Sequence, residues 1–308
     1  MSVTVLLPVY NGAATLSQTL QSILLQRHDD FELLVIDDAS RDDSAEIILG
    51  CARADSRVTA IVHERNAGLA NTLNEGLERA HYEFVARIDQ DDEALPDRLG
   101  TQKAFLDAHP RVAAAGSWVF HMGTRREYDR LVRLPTEHHE IAAILQRENC
   151  MYHPAMMLRR SMVLDAGGYR GEFKNAEDYD LWLRLARNHE LANVAEPLLR
   201  YRFSVDGMTL GRKWEQLFYI HLAQAAAGDP DVPLEEAERR ARATLADVDR
   251  GWFLMQVAQG TVRELVALRH WRDAVVVVTR FAKEIGFRRS ASLVAEIGGA
   301  RIRARKVA

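Results

Sequence analysis

Two groups of acidic residues in this chain have the spacing of a reaction centre. Residues 89–92 read DQDD after a short apolar segment, and Glu177 and Asp178 lie together before a helical pattern. Carboxylates this close repel one another unless a cation joins them, and hard oxygen ligands suit Mg²⁺ or Mn²⁺. Asp89 and Asp91 therefore predict a divalent metal site that shares its remaining positions with phosphate oxygens and water.

The second acidic group has two interpretations. Carboxylates are common in the first turn of a helix on dipole grounds alone. The chemical interpretation is a general base, which takes the proton of an attacking hydroxyl. A pyrophosphate leaving group needs no strong acid, because a metal and cationic side chains take up its charge. One metal site and one base then suffice for group transfer with inversion.

Alternating strand and helix patterns would position these acids. Apolar runs predict strands at 3–9, 31–37, 58–63 and 83–88, and helical spacing predicts helices at 13–26, 44–54 and 68–80. Repeated units of this kind favour an α/β fold with a doubly wound, mostly parallel sheet. Such sheets bind ligands beyond the carboxyl ends of their strands.

Polar clusters follow each of the four predicted strands, at positions 10–12, 37–38, 66–68 and 89–92. A single cluster of this kind is an ordinary turn or helix cap. Four in succession, on one edge of a parallel sheet, favour a common binding crevice.

Composition excludes several classes of protein. The chain has 308 residues, 47% of them apolar, and a formal net charge of -4, which argues against binding to nucleic acid. No signal-peptide pattern opens it, and no apolar run is long enough to cross a bilayer. Cys51 and Cys150 form no C-x-x-C pair, so a zinc cluster or disulfide framework is excluded. We expect a cytoplasmic protein, with a peripheral location at the inner face of the membrane as the alternative.

The pattern becomes almost wholly helical after residue 206. We predict a catalytic domain over residues 1–206 and a helical C-terminal extension over residues 207–308. Residues 288–306 carry six basic side chains and one acid beside an apolar stripe. This tail predicts a contact with an anionic membrane surface, although a solvated helix packed on the domain has the same pattern.

Several motifs together resemble a family 2 glycosyltransferase with the A-type nucleotide-sugar transferase fold. They run in order from about residue 3 to residue 203, and the combination is more specific than any one of them. The matching segments are PVYN at 8–11, DDAS at 37–40, NAGLA at 66–70, RIDQDD at 87–92, HP at 153–154, GGY at 167–169, ED at 177–178 and PLLRYR at 197–202.

The resemblance implies roles for individual residues. The nucleotide-sugar site would contain Pro8, Val9, Tyr10, Asp38, Asn66, Gly68, Arg87 and Asp89. Among these, Asp38 would accept a hydrogen bond from the base, most often uracil. Asp91, with Asp89, would hold Mn²⁺ or Mg²⁺. Asp178 would be the general base, and His153 and Glu177 would shape the acceptor site.

The resemblance also implies the type of transfer reaction, and the chain departs from the family pattern at one metal-binding position. The chain lacks membrane helices and the Q-x-x-R-W motif of processive members, so it resembles those that add a single sugar to a glycan or lipid-linked acceptor. A histidine that completes the metal site in many relatives is missing, because Ser204 and Asp206 follow the Tyr-Arg pair. Two alternatives are a response-regulator receiver, which leaves PVYN unexplained, and a catalytically inactive nucleotide-sugar-binding protein.

Overall fold

The structure is a computed structural model that describes residues 3–202, 210–229 and 231–285. Its first part follows the predicted alternation closely. All seven residues of the first strand are buried, as its uninterrupted apolar run predicts. The elements are β1 (Val3–Val9), α1 (Ala13–Leu24), β2 (Phe31–Asp37), α2 (Ser44–Ala54), β3 (Val58–Val62), α3 (Leu69–Arg79) and β4 (Phe84–Arg87).

These four strands form the parallel half of the sheet, in the order β3-β2-β1-β4. Val9 is in register with Asp37, and Asp37 with Val62. The carboxyl ends of β1, β2 and β3 therefore lie at one edge, and the residues that follow β4 come to the same edge. The predicted α/β sheet with flanking helices is confirmed in this half.

The second half of the sheet is antiparallel, which the apolar patterns did not indicate. Strand β4 pairs with β8, β8 with β6, and β9 with β5, which gives the order β3-β2-β1-β4-β8-β6-β9-β5 with β7 beside β6. The elements are β5 (Glu93–Ala94), α4 (Arg98–Ala108), β6 (Val112–His121), β7 (Arg130–Val132), α5 (His138–Leu145), β8 (Met157–Arg159), α6 (Arg160–Asp165), α7 (Glu177–Asn188) and β9 (Glu190–Tyr201).

Apolar side chains of the sheet and of helices α1 and α2 form a buried core. Leu16 of α1 and Ile48 of α2 pack with Leu7, Val35 and Ala86 of the central strands, and all five are fully buried. Each large aliphatic side chain buried in this way contributes roughly 1.5–3 kcal/mol. The core therefore fixes the strands whose ends carry the polar loops.

The described residues form two compact units, one within residues 1–120 and 131–201 and the other within residues 121–130 and 202–308. The second unit contains its own apolar cluster, with Leu254, Ala258 and Val262 at helical spacing. The Asp249 side chain caps a helix by accepting from the Trp252 N–H at 2.8 Å. The helices of this second unit are α8 (Leu210–Gly228), α9 (Leu234–Ala246), α10 (Arg250–Ala267) and α11 (Trp271–Ile285).

Three sequence predictions fall outside the described residues. These are the domain boundary after residue 206, the missing metal-site histidine at Ser204 and Asp206, and the basic tail at 288–306. All three stay predictions. Among the helices that the structure does describe, none combines the length and apolar character needed to span a membrane.

Candidate active site

The side chain of Gln90 ties the loop after β1 to the acidic loop after β4. The backbone N–H of Tyr10 donates to Gln90 Oε1 at 2.8 Å, and Gln90 Nε2 donates to the Tyr10 carbonyl at 3.1 Å. A Cβ at position 12 would lie 2.4 Å from Gln90 Oε1, so Gly12 leaves the room that this contact needs. The hydroxyls of Thr15 and Thr19 donate to the Gln90 carbonyl. The middle residue of the DQD motif thus positions the two acids around it.

A second set of hydrogen bonds joins the loops after β1 and β2. The N–H groups of Asn11 and Gly12 donate to the hydroxyls of Ser40 and Ser44, at 2.8 and 2.9 Å. Asn11 and Ala39 have left-handed backbone conformations, with φ of 52° and 60°. For Ala39 this conformation is unfavourable, and such strain is concentrated at functional sites.

The predicted base-pocket residues differ in exposure. Pro8 and Val9 end the buried strand β1, whereas Tyr10 is 45% exposed at its tip. An aromatic ring that projects from a strand end into solvent offers a face on which a flat base can stack.

Asp38 holds the loop at 66–68 in place. Its carboxylate accepts from the N–H groups of Ala67 and Gly68, at 2.7 and 2.9 Å, and the Asn66 side chain donates to the Asp38 carbonyl at 3.0 Å. Gly68 has φ of 87°, a conformation that favours glycine. The structure therefore brings together Asp38, Asn66 and Gly68, three predicted nucleotide-binding residues.

His63 lies between two carboxylates beside this loop. Its Nδ1 is 2.9 Å from Asp38 Oδ1, and its Nε2 is 2.8 Å from Glu75 Oε2. Burial lowers the pKa of His63, but the hydrogen bonds to both carboxylates outweigh burial and the pKa is raised. The imidazolium form, which has a donor on each nitrogen, satisfies both contacts.

The acids after β4 form a cluster that could hold a metal ion. One carboxylate oxygen from each of Asp89, Asp91 and Asp92 lies within 4.8 Å of the others. Asp92 is buried, and the other two are partly exposed. A set made only of carboxylate oxygens fits Mg²⁺ or Mn²⁺, with Asp89 and Asp91 accessible from solvent.

The Arg87 side chain contacts this cluster through Asp89 and is 2% exposed. Its Nη2 donates to the carboxylate of Asp89, while Nε and Nη1 are buried without a hydrogen-bond partner among the described residues. Burial lowers the pKa of Arg87, but the nearby acidic groups, Asp89 foremost, together outweigh burial and the pKa is raised. A buried guanidinium that stays charged favours negative charge in its surroundings.

The Arg98 side chain holds the backbone at Arg87 in place. This buried side chain donates to the carbonyls of Arg87 and Met156, at 2.6 and 3.2 Å, and to Gln102 Oε1 at 3.0 Å. Burial lowers the pKa of Arg98 to about 9, against the opposing effect of Asp92. Arg98 still carries its charge at neutral pH and fixes the backbone that presents Arg87.

Helix α7 presents the second acidic group at its N-terminus. Its apolar side buries Tyr179, Trp182 and Leu185, which fixes where the helix begins. Burial and then the charge of Asp178 raise the pKa of Glu177 to about 7, and Arg87 partly opposes them. Burial also raises the pKa of Asp178.

His153 and Tyr169 lie close to these acids. His153 Nε2 is 2.8 Å from the Tyr169 hydroxyl, and the His153 ring contacts Trp182 edge to face. Burial and then the charge of Arg87 hold the pKa of His153 well below its usual value, so the ring is neutral at pH 7. The backbone of Tyr169 exchanges two hydrogen bonds of 2.8 Å with the Asn74 side chain.

The charge of Arg87 acts on both halves of the site. It affects the pKa values of His153, Tyr169, Glu177 and Asp178, while its Nη2 contacts Asp89. The structure therefore gathers the acids after β4 and those of α7 around one buried cation. The sequence indicated no role for three residues of this site. These are Gln90, Arg98 and Asn149, and the Asn149 side chain donates a hydrogen bond to Asp178.

Comparison with known proteins identifies the family. The model of glycosyl transferase family 2 matches residues 4–168. The amylovoran biosynthesis glycosyltransferase AmsE of Erwinia amylovora is 30% identical over 233 residues, which cover 73% of this chain and 87% of that protein. The O-antigen biosynthesis glycosyltransferase WbnJ of Escherichia coli is 32% identical over 206 residues, covering 65% and 79%. The chain belongs to glycosyl transferase family 2, as its motifs predicted.

Solved structures share the fold at low sequence identity. TarS of S. aureus in complex with UDP-GlcNAc is 15% identical with a TM-score of 0.60, over 99% of this chain and 92% of that one. The mannosyltransferase PcManGT of Pyrobaculum calidifontis, in complex with GDP-Man and Mn²⁺, is 17% identical with a TM-score of 0.58, over 97% and 80%. These similarities confirm the predicted fold class.

Proposed function

We propose that this enzyme transfers a single sugar, with inversion, from a nucleotide-sugar donor to an acceptor hydroxyl. The observation that carries the proposal is the position of Arg87, whose guanidinium contacts Asp89 and whose charge acts on Asp178. Its buried positive charge favours the diphosphate of a donor bound nearby. A donor bound there lies between the acids after β4 and the first turn of α7.

Asp91 and Asp89 are the residues that would hold Mn²⁺ or Mg²⁺. Their oxygens belong to the cluster within 4.8 Å, and the partial exposure of both leaves room for a diphosphate. A bound divalent ion supplies positive charge that stabilises the departing nucleoside diphosphate. Arg87 adds a fixed positive charge on the buried side of the same region.

Asp178 is the general base in this proposal. The acceptor hydroxyl oxygen forms a bond to the anomeric carbon, while the bond from that carbon to the β-phosphate oxygen breaks. The hydroxyl proton passes to Asp178, and the electron pair of the broken bond leaves with the nucleoside diphosphate. Attack opposite the leaving group inverts the anomeric carbon. Glu177 and His153 would border the acceptor.

The relatives suggest the donor and acceptor classes. TarS was solved with UDP-GlcNAc, which supports a UDP-sugar, whereas the complex of PcManGT with GDP-Man makes GDP-sugars the comparison set. The names of AmsE and WbnJ refer to amylovoran and O-antigen biosynthesis. We infer an acceptor in cell-surface polysaccharide or glycolipid synthesis, reached from the cytoplasm at the inner face of the membrane.

A panel of nucleotides and nucleotide sugars tests the proposal. Thermal shift in the presence of Mn²⁺ identifies the preferred donor, because a ligand that binds the folded state raises its stability. Hydrolysis of that donor is then measured with Mn²⁺ and with EDTA. The proposal expects a UDP-sugar to bind and to be hydrolysed only with metal. Binding without any turnover would favour the inactive binding protein.

A further inference from the structure

We propose that Asn149 is a positioning residue for Asp178, whose side-chain amide orients the carboxylate and favours the ionised form. Asn149 Nδ2 donates to Asp178 Oδ2 at 2.8 Å, across 29 positions of sequence. Asn149 lies in the segment between α5 and β8 and belongs to none of the matching motifs. The inference rests on the proposed role of Asp178 as the general base.

The orientation of the Asn149 amide is fixed by a third residue. The backbone N–H of Met151 donates to Asn149 Oδ1 at 3.0 Å. Because an N–H donor pairs with the oxygen of the amide, the NH₂ group must face Asp178. Asn149 is thus set as a donor toward the carboxylate.

The two oxygens of Asp178 each receive one donor. Oδ1 accepts from the Tyr179 N–H at 2.7 Å, and Oδ2 accepts from Asn149. A carboxylate held at both oxygens cannot rotate freely, and each oxygen keeps a lone pair for a further contact. The geometry leaves Asp178 able to accept a proton from a bound hydroxyl in one fixed orientation.

Asn149 also opposes the effect of burial on Asp178. Burial raises the pKa of Asp178, whereas the hydrogen bonds from Tyr179 and Asn149 and the charge of Arg87 lower it. The other ionisable groups that face Asp178 are Glu177 on its own helix and Tyr169 in the segment before α7. Removal of the Asn149 donor raises the pKa of Asp178 further, because a hydrogen bond to the charged form is lost.

Asn149→Asp is the sharpest test. Asp keeps the shape and an oxygen for the Met151 N–H, but it replaces the donor by a second carboxylate. A like charge raises the pKa of a neighbouring carboxylate by about one unit or more. The acid limb of the pH profile for kcat/KM, measured as donor hydrolysis in the presence of Mn²⁺, is expected to move up by about one pH unit. Asn149→Ala is expected to move it in the same direction by less.

Binding and charge controls separate this role from a general loss of structure. Asn188→Asp makes the same change at an exposed position at the other end of α7 and should leave the profile unchanged. The affinity for UDP with Mn²⁺ should change less than about twofold in the Asn149 variants, since Asn149 acts through Asp178. An acid limb at the wild-type position in either folded Asn149 variant overturns the proposal.

The Asp178→Asn variant distinguishes a wrong base assignment for Asp178 from a wrong positioning role for Asn149. If this variant retains the native rate, the base assignment fails and the role of Asn149 fails with it. If Asp178→Asn is inactive while the Asn149 variants keep the wild-type acid limb, the base assignment stands and only the positioning role is wrong.

Discussion

The buried guanidinium of Arg87 contacts Asp89, and its charge acts on the carboxyl groups that begin α7. A fixed, buried cation of this kind stabilises negative charge without reorganisation. Glu177, whose pKa is raised, and His153, whose pKa is lowered, both lie within reach of its charge. Clusters of perturbed groups are typical of reaction centres.

The Asp178→Asn variant tests whether Asp178 is the general base. The variant keeps the shape of the side chain and removes its capacity to accept a proton. Transfer should fall by roughly 10² or more, with little change in donor affinity, because the lost interaction acts in the transition state. Steady-state turnover together with UDP titration measures both quantities. Turnover near the wild-type level would rule out Asp178 as the base.

The Glu177→Gln variant tests whether burial raises the pKa of the Glu177 carboxyl group. The measured quantity is the free energy of unfolding. The pKa of Glu177 rises from its ordinary value of 4.5 to about 7 in the folded protein. The protonated form therefore stabilises the fold below the unfolded pKa, and this contribution is lost as pH rises through about 7. Urea denaturation from about pH 5 to about pH 8 should show Glu177→Gln gaining up to roughly 3 kcal/mol relative to wild type.

The exposed carboxyl of Glu172 provides the control for this measurement. Glu172→Gln should follow the wild-type pH dependence within about 0.5 kcal/mol. Parallel curves for Glu177→Gln and wild type would mean that Glu177 is ionised in the folded protein throughout this range.

Strands β1, β2 and β4 were predictable because almost all of their residues are buried on both faces, which leaves nearly uninterrupted apolar runs. The bounds predicted for β2, 31–37, coincide with the observed strand Phe31–Asp37. The antiparallel half gave no such signal. Strand β8 has three residues, Met157–Arg159, and β6 begins with alanines of low strand propensity at 113–115, so tertiary pairing rather than local pattern fixes both.

The site was predictable only in part for a related reason. Asp89, Asp91 and Asp178 belong to local motifs that a single sequence displays. The contacts of Gln90 with Tyr10, 80 positions apart, and of Asn149 with Asp178 depend on the folded chain. The sequence did place Asp38, Asn66 and Gly68 at one edge, because parallel strands end there.

Gly68→Ala tests the loop between β3 and α3. A Cβ there has open space, so the cost comes from the backbone, with φ of 87° and ψ of 154°. The substitution should cost about 1–3 kcal/mol and weaken UDP binding, because the N–H groups held by Asp38 shift. Denaturation and UDP titration measure the two effects. Gly171→Ala, at an exposed glycine with equally open space, is the matched control, and equal stability of the two variants would contradict the account.

At the scale of the whole molecule, the basic tail at 288–306 is predicted to bring the enzyme to an anionic membrane. Each basic residue near such a surface contributes about 1 kcal/mol to binding. Co-sedimentation with vesicles that contain phosphatidylserine should be lost when residues 287–308 are deleted, while neutral vesicles bind neither protein. Replacement of the exposed Arg239 and Arg242 of α9 by Gln should leave binding unchanged. Equal sedimentation of the full and shortened chains would reject the prediction.

The metal and the donor are expected to bind as one unit. The predicted ligands Asp91 and Asp89 supply carboxylate oxygens alone, and no histidine follows Tyr201-Arg202 where many relatives have one. A diphosphate would add the missing oxygens, and without an imidazole the preference for Mn²⁺ over Mg²⁺ should be small.

Calorimetric titration of Mn²⁺ with and without UDP tests the central claim, a metal and nucleotide site at the acidic loop after β4. We predict weak binding of Mn²⁺ alone and binding about tenfold tighter or more with UDP, because the nucleotide completes the coordination shell. Asp91→Ala should abolish this gain, whereas Asp107→Ala, at an exposed carboxylate of α4, should retain it. Tight binding of Mn²⁺ that is independent of UDP and survives Asp91→Ala would contradict the account.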